Sequence, residues 1–274
     1  MLGSGRISSS LDKSKTYADV CDMGAEIFNI CRYPVKGLSP ENLSEVTLEA
    51  GGALTNDRRF ALALGSTLFG AATPHWLPKT SFLALMKNEK LAALETVFDD
   101  ETDTLQVLRG GKQVARGKLT DTVGRAILED FFSAYLKDEA RGKPRLVEGK
   151  GKTIFTDQKR KLISIINLAS VRDFERVVGK AVDPIRFRAN VYIDGIDPWS
   201  EFDSVGREIS CGGATIEVME PIDRCAAINV NPQTGERDIN LVKFLQGGFG
   251  HINMGVLAKV TKAGHFAIGD VLGF

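Results

Sequence analysis

Cys225 stands in the segment Pro221-Ile222-Asp223-Arg224-Cys225-Ala226-Ala227-Ile228-Asn229-Val230-Asn231-Pro232-Gln233-Thr234-Gly235-Glu236-Arg237-Asp238, whose residue types are able to do metal or nucleophilic chemistry. A thiol acts as a ligand or nucleophile only as its thiolate, and an arginine beside it at the start of a strand favours that form. The same residues equally suit a buried structural cysteine next to a surface arginine, and spacing alone does not separate the two readings. In Tyr33-Pro34-Val35-Lys36-Gly37-Leu38 a strand is left through a proline and a lysine is presented at the following turn. That lysine suits an anion or a solvated loop. Asn56-Asp57-Arg58-Arg59-Phe60 sets two arginines at the head of an apolar strand, where Asp57 and Arg58 also have the makings of a surface ion pair. If Arg186-Phe187-Arg188-Ala189-Asn190 is extended, Arg186, Arg188 and Asn190 share one face and either grip a phosphate or form the wet side of a sheet.

Other chemistries find no support. Cys21, Cys31, Cys211 and Cys225 are scattered without a C-x-x-C pair or a ferredoxin spacing, so neither a zinc knuckle nor an iron–sulfur cluster is expected, and free thiols are. His75, His251 and His265 do not pair at ligand spacing, which argues against zinc or non-haem iron; His251 follows flexible glycines, while His75 and His265 read as loop residues. No glycine-rich dinucleotide fingerprint or phosphate-binding Walker loop is present.

Short β-type runs must position these clusters. Ile27–Cys31, Val46–Leu48, Phe60–Leu64, Phe82–Met86 and Leu105–Leu108 read as an antiparallel meander. The period then changes over 120–136, predicting a helix capped by Thr120 with Val123, Ala126, Ile127, Phe131, Phe132 and Tyr135 inward. Gly142 to Gly151 reads as a connection, with a soft boundary near residue 150. Beyond it, Leu162–Leu168 suits a buried strand and Ala169–Val178 a helix with Val171, Phe174, Val177 and Val178 inward. Strands follow at Asn190–Ile193, Glu208–Cys211, Ala214–Met219, Ala226–Val230 and Gly255–Val260, and a closing hairpin at Thr261–Val271 carries turn glycines at Gly264 and Gly269.

With 274 residues and 43% hydrophobic composition the chain buries a sizeable core. Thirty-five basic residues balance 35 acidic ones, so no net field would hold it on nucleic acid or an anionic membrane, and any anion site must be local. The absence of an apolar run of about 18 residues or a signal-like start leads us to expect a cytoplasmic protein with no membrane or nucleic-acid partner. Residues 1–24 read as a flexible lead, whose Asp12, Asp19 and Asp22 argue against a transit peptide.

Taken in order, these motifs resemble a known family. Tyr33–Leu38 with Asp57-Arg58-Arg59-Phe60 is similar to the N-terminal β-barrel domain that precedes MOSC domains. Residues 162–272 resemble the MOSC domain itself through Arg186–Asn190, Asp223-Arg224-Cys225, Val230–Gly235 and Gly264-His265-Phe266-Ala267-Ile268-Gly269-Asp270. The mitochondrial amidoxime reducing components are the better-understood relatives. The resemblance implies a mainly β fold with some α (α+β), in which a β-barrel-like subdomain over 25–150 packs on a MOSC β-barrel over 151–274. It implies molybdenum cofactor (molybdopterin), with Cys225 as metal ligand and catalytic centre and with Lys36, Arg58, Arg188, Asn190 and Arg224 as cofactor contacts, Arg224 also favouring the thiolate. The implied activity is that of an oxidoreductase reducing N-hydroxylated or related small substrates. Its electrons would come from a separate ferredoxin or flavoprotein reductase, because no ferredoxin domain is appended here. A non-catalytic carrier of cofactor, or of sulfur as a Cys225 persulfide, is the alternative. Asp223 stands where many relatives have a small hydroxyl residue, and Ala189 where proline is frequent.

Overall fold

The computed structural model describes residues 24–68, 75–149 and 153–274. Nearly all of the lead expected over 1–24, Cys21 included, lies outside them. β1 (Ala25–Arg32) alternates buried and exposed residues at its start and is followed by the short β2 (Glu41–Leu43) and β3 (Glu45–Leu48). β4 (Phe60–Ala63) pairs with β8 (Arg145–Glu148), and β5 (Glu95–Asp99), β6 (Thr104–Arg109) and β7 (Lys112–Lys118) form a meander against α1 (Thr122–Leu136). The meander is therefore confined to β5–β7. Phe82 makes a single bridge to Ala63 and the chain then turns, with Asn88 Oδ1 accepting from the Ala84 amide at 3.1 Å, so Phe82–Met86 is a wall-forming loop rather than a strand.

The cap of α1 is Asp121, not Thr120: its Oδ1 accepts from the Gly124 amide at 2.8 Å. The buried stripe is Gly124, Leu128, Phe132 and Leu136, whereas Val123 is 70% and Ile127 46% exposed. The helical period was legible, but the phase of the stripe follows the close approach of Gly124 to Lys118, where a Cβ would lie 2.3 Å from the strand backbone.

The second half supplies most of a closed barrel. β9 (Ile163–Asn167), β10 (Val191–Asp194), β11 (Glu208–Cys211), β12 (Ala214–Asp223), β13 (Asn253–Lys262) and the terminal β15 (Val271–Leu272) join β1 in the order β10-β9-β13-β12-β11-β15-β1. Pairing of β1 with β10 closes the ring of seven strands, and β2 extends β1. β9 and β10 are parallel, which requires a crossover, and α2 (Leu168–Val178) provides it. All five residues of β9 are buried because the strand faces the barrel interior on one side and α2 on the other. α3 (Leu241–Phe249), capped by Asn240, packs beside α2 and was not expected from the sequence. β14 (Gly264–Ala267) pairs with β3 instead of closing a hairpin.

Four buried clusters carry the packing, the smallest being Ala61, Ala63, Phe82, Val147 and Phe155 around the β4–β8 pair. Ile27, Ile165, Val191, Ile216, Val256 and Phe266 fill the barrel. Phe174, Phe187, Tyr192, Ile228 and Leu245 lie between the barrel and its helices. Phe60, Leu62, Val107, Leu128 and Phe132 centre the N-terminal core, which also takes in Val230 from the second half. The mainly β fold, with three α-helices among the described residues and a β-barrel, agrees with the expected class.

Candidate functional site

Backbone departures from regular structure create the site. Asp183 caps a 3-10 turn at Pro184–Phe187, and Arg188 follows in the left-handed region at φ 52°. Arg186–Asn190 is therefore not an extended strand, since proline at the first turn position favours the turn. Likewise Ala226–Asn229 is a 3-10 turn headed by Cys225, where a strand was expected over Ala226–Val230. Arg58 also has a positive φ, 47°. These turns, the loops around Lys36 and Met86, and the segment at Asp157 surround a cleft of about 320 Å3.

All six residues singled out from the sequence line this cleft. Seven cations and two carboxylates line it, and Asp57, Glu220 and Asp238 pair with Arg58, Arg160 and Arg186 from outside the lining, which leaves a local positive excess in a chain of zero formal net charge. Lys36 is buried, donating to Phe155 O at 2.9 Å and Asp157 Oδ1 at 2.5 Å. Burial pulls its ammonium below the usual lysine range, and Asp157 offsets this only in part. Arg58 and Arg188 both lie over the Tyr33 ring, at 4.3 and 4.2 Å from its centroid. Arg58 pairs with buried Asp57 at 2.6 Å and donates to Arg188 O at 2.8 Å, so the Asp57–Arg58 pair is an interior one. Arg188 donates to Leu38 O at 2.8 Å; burial lowers its affinity for the proton, and neighbouring Arg58 adds to that.

Two of the six turn their polar groups into the scaffold. Asn190 accepts from the Ser164 amide and hydroxyl at 3.1 and 3.0 Å and donates to Cys31 O at 3.2 Å. Arg224 donates to Phe187 O at 2.8 Å and, through Nε and Nη2, to Met254 O, and burial pulls it down to about 10. It thereby ties the 184–187 turn to β13 directly beside Cys225.

Cys225 is half-buried at the cleft wall. Cys31 and Cys211 are fully buried, and burial pushes their thiols up to about 11 and about 12. Among the described cysteines, Cys225 alone is partly exposed. His251 is enclosed by the rings of Trp199, Phe202 and Phe249, with Nδ1 accepting from the Asn253 amide at 3.1 Å.

The structure adds Lys79, Asp157 and Arg186 to the cleft. Asp157 receives Lys36 at 2.5 Å and Lys79 at 3.3 Å. Burial works to raise the Asp157 carboxyl, but the charges and hydrogen bonds of Lys36 and Lys79 together outweigh it and hold it at about 2. No sequence signal marks Lys79 or Asp157, which reach the cleft only through tertiary packing. Arg186 was visible in its motif; it pairs with Asp238 at 2.7 Å, yet its buried Nε has no acceptor.

A closed barrel bearing a cleft with a local excess of cations and a partly exposed cysteine on its wall defines a class of β-barrel protein. Comparison with known proteins makes the class specific: residues 151–273 match the MOSC domain and residues 24–143 the MOSC N-terminal beta barrel domain. The chain belongs to the MOSC-domain family. It is 25% identical over 229 residues to a molybdenum cofactor sulfurase of Caenorhabditis elegans, an alignment covering 80% of this chain and 31% of the relative. The molybdenum cofactor sulfurase of Drosophila melanogaster is 33% identical over 120 residues, 39% of this chain and 15% of the relative. The chain thus spans at most about a third of the length of these relatives. Among solved structures, the YUAD protein from Bacillus subtilis aligns with a TM-score of 0.46 at 12% identity, over 91% of this chain and 94% of that one. No helix of the described residues is long and apolar enough to cross a membrane.

Proposed function

We propose that the cleft binds molybdenum cofactor, with the Cys225 thiolate as the protein's ligand to the metal, and that the loaded protein is an oxidoreductase. The observation that carries this reading is the meeting of a partly exposed cysteine with seven cationic residues in the lining of one cleft. The residues fit the group. A phosphate-bearing pterin offers oxygen acceptors to fixed guanidinium donors, and soft molybdenum takes sulfur. Burial disfavours the charged forms of Lys36 and Arg188, and an anion seated beside them would favour those forms.

The cofactor, when bound, supplies the two-electron chemistry at molybdenum. Arg58 and Arg188, held against Tyr33, present planar donors to its phosphate or pterin. Asp157, ionised down to about pH 2, orients Lys36 and Lys79 rather than passing a proton at neutral pH. Asn190 and Arg224 fix the turns that carry these groups. Apolar Met86, Leu162, Ile222 and Leu257 in the wall limit water near the thiol. The proposed substrates are N-hydroxylated or related small oxidised compounds, and a separate ferredoxin or flavoprotein reductase is the proposed electron donor.

The relatives' name supports a second reading, a non-catalytic carrier of cofactor or of sulfur held as a Cys225 persulfide. Protein made in a host with verified cofactor supply is expected to hold near one molybdenum per chain and to consume hydroxylamine-type substrates with an artificial reductant. Cys225→Ser is expected to stay folded while losing activity and most molybdenum, and Cys211→Ser to keep both. Full loading without turnover on N-hydroxylated compounds, sulfoxides or nitrate selects the carrier. Metal-free wild type, or Cys225→Ser with full molybdenum, overturns the binding assignment.

A further inference from the structure

Arg237, outside the cleft lining, makes an unusual set of contacts. Its Nη1 donates to Ala226 O at 2.9 Å, while Nη2 reaches Met86 O at 2.7 Å, Leu85 O at 3.2 Å and Glu89 Oε2 at 3.2 Å. Ala226 immediately follows Cys225, whereas Leu85 and Met86 belong to the N-terminal wall of the cleft. One guanidinium therefore spans from the thiol-bearing turn to the opposing loop. The next residue, Asp238, pairs with Arg186 on the barrel side at 2.7 Å.

Packing around this point is independent of those hydrogen bonds and agrees with them. Gly235, at φ 73°, lies against the turn at Glu89–Ala93 so closely that a Cβ would sit 3.1 Å from Glu89 O and 3.2 Å from Ala93 Cβ. Val230 is buried in the N-terminal core while Ile228, two residues earlier, is buried in the core between barrel and helices. The turn carrying Cys225 is thus wedged between two cores, and Arg237 is the charged tie across the wedge.

We propose that Arg237 is a positioning residue that sets the separation of the Cys225 turn from the Leu85–Met86 wall, and with it the accessibility of the Cys225 thiol and the grip of the cleft on its cofactor. Only the second of these consequences rests on the cofactor reading; the first concerns the cofactor-free protein. A planar guanidinium is required, because its fork serves carbonyls on two sides at once and a lysine ammonium is a single point of donation.

The test measures alkylation of Cys225 by iodoacetamide in the full-length, cofactor-free chain, resolved by mass spectrometry from Cys21, Cys31 and Cys211, beside thermal unfolding of each variant. Arg237→Gln is expected to raise the Cys225 rate roughly tenfold, the equivalent of losing one strong charge-assisted hydrogen bond, while Cys31 and Cys211 stay protected. Arg237→Lys is expected to show an intermediate rate, and Glu89→Gln, which leaves the carbonyl contacts in place, the wild-type rate. Release of cofactor from loaded protein is expected to rank the variants in the same order. A folded Arg237→Gln that labels Cys225 at the wild-type rate overturns the proposal, as does a rise shared equally by Cys31 and Cys211, which would report general loosening. Should Arg237→Gln fail to fold, Arg237→Lys carries the test, and a wild-type Cys225 rate there overturns it. An altered labelling rate with no cofactor in any variant would leave the positioning role standing and sink the cofactor reading alone.

Discussion

Charge in the cleft is arranged asymmetrically, with Asp157 as the shared counter-ion of Lys36 and Lys79. Its carboxyl is held down to about 2 from the ordinary 3.8, so the folded state binds this proton less tightly than the unfolded chain. A group depressed in this way contributes stability above its unfolded value and loses that contribution as pH falls toward the folded one. Wild-type protein is therefore expected to lose stability between about pH 4 and pH 2 more steeply than Asp157→Asn, as read by urea midpoints across that range. Asp157 keeps 48% side-chain exposure, so solvent screening makes the difference modest. Equal slopes for the two proteins would show that the lysines do not depress this carboxyl.

At the scale of elements, α1 illustrates how capping and burial rather than hydrophobicity alone decide what a helix contributes. Asp121→Ala removes an acceptor from the first turn and is expected to cost about 1 kcal/mol. Phe132→Ala empties a fully buried site in the N-terminal core and is expected to cost about 3–5 kcal/mol. Ile127→Ser, on the exposed side, is expected to change stability by no more than about 0.5 kcal/mol. Urea denaturation of the three variants checks the ranking, and a large loss for Ile127→Ser would contradict the phase of the helix. The same logic places β9: buried along its whole length, it needs cover on both faces, and α2 supplies the outer one.

For the molecule as a whole, the cleft lies where loops of the N-terminal stretch meet turns of the barrel half, with Arg58 donating to Arg188 O and Arg237 to Met86 O across it. A ligand seated there stabilises the folded chain in proportion to its affinity, by about 4 kcal/mol at a thousandfold excess over Kd. Loaded protein is accordingly expected to unfold at higher temperature. It should also exchange amide hydrogens more slowly in the loops around Lys36 and Met86, while the outer meander β5–β7 stays unchanged. Slowing spread evenly over the chain would argue against binding at this cleft.

The strands that later form the barrel were largely legible, because alternation and continuous apolar runs reflect burial that any packing of those residues must satisfy. The pairing of Cys225 with Lys36, Arg58 and Arg188 was legible only through ordered motifs that resemble a family, since neither spacing nor residue type distinguishes a ligand from a structural thiol. What the sequence could not decide were the turns at Arg186–Asn190 and Ala226–Asn229. Alternation at Arg186–Asn190 holds only if the segment is extended and Ala226–Val230 reads as a short strand, yet both are turns, Arg188 takes a left-handed backbone and Arg224 is spent on carbonyls of Phe187 and Met254. Lys79 and Asp157, 78 positions apart, meet Lys36 because loops from separate elements converge. Local propensity acts over a few residues, whereas the closure of β1 on β10 and the seating of Val230 in the N-terminal core bring groups together over the whole chain, and that long-range packing set the cleft.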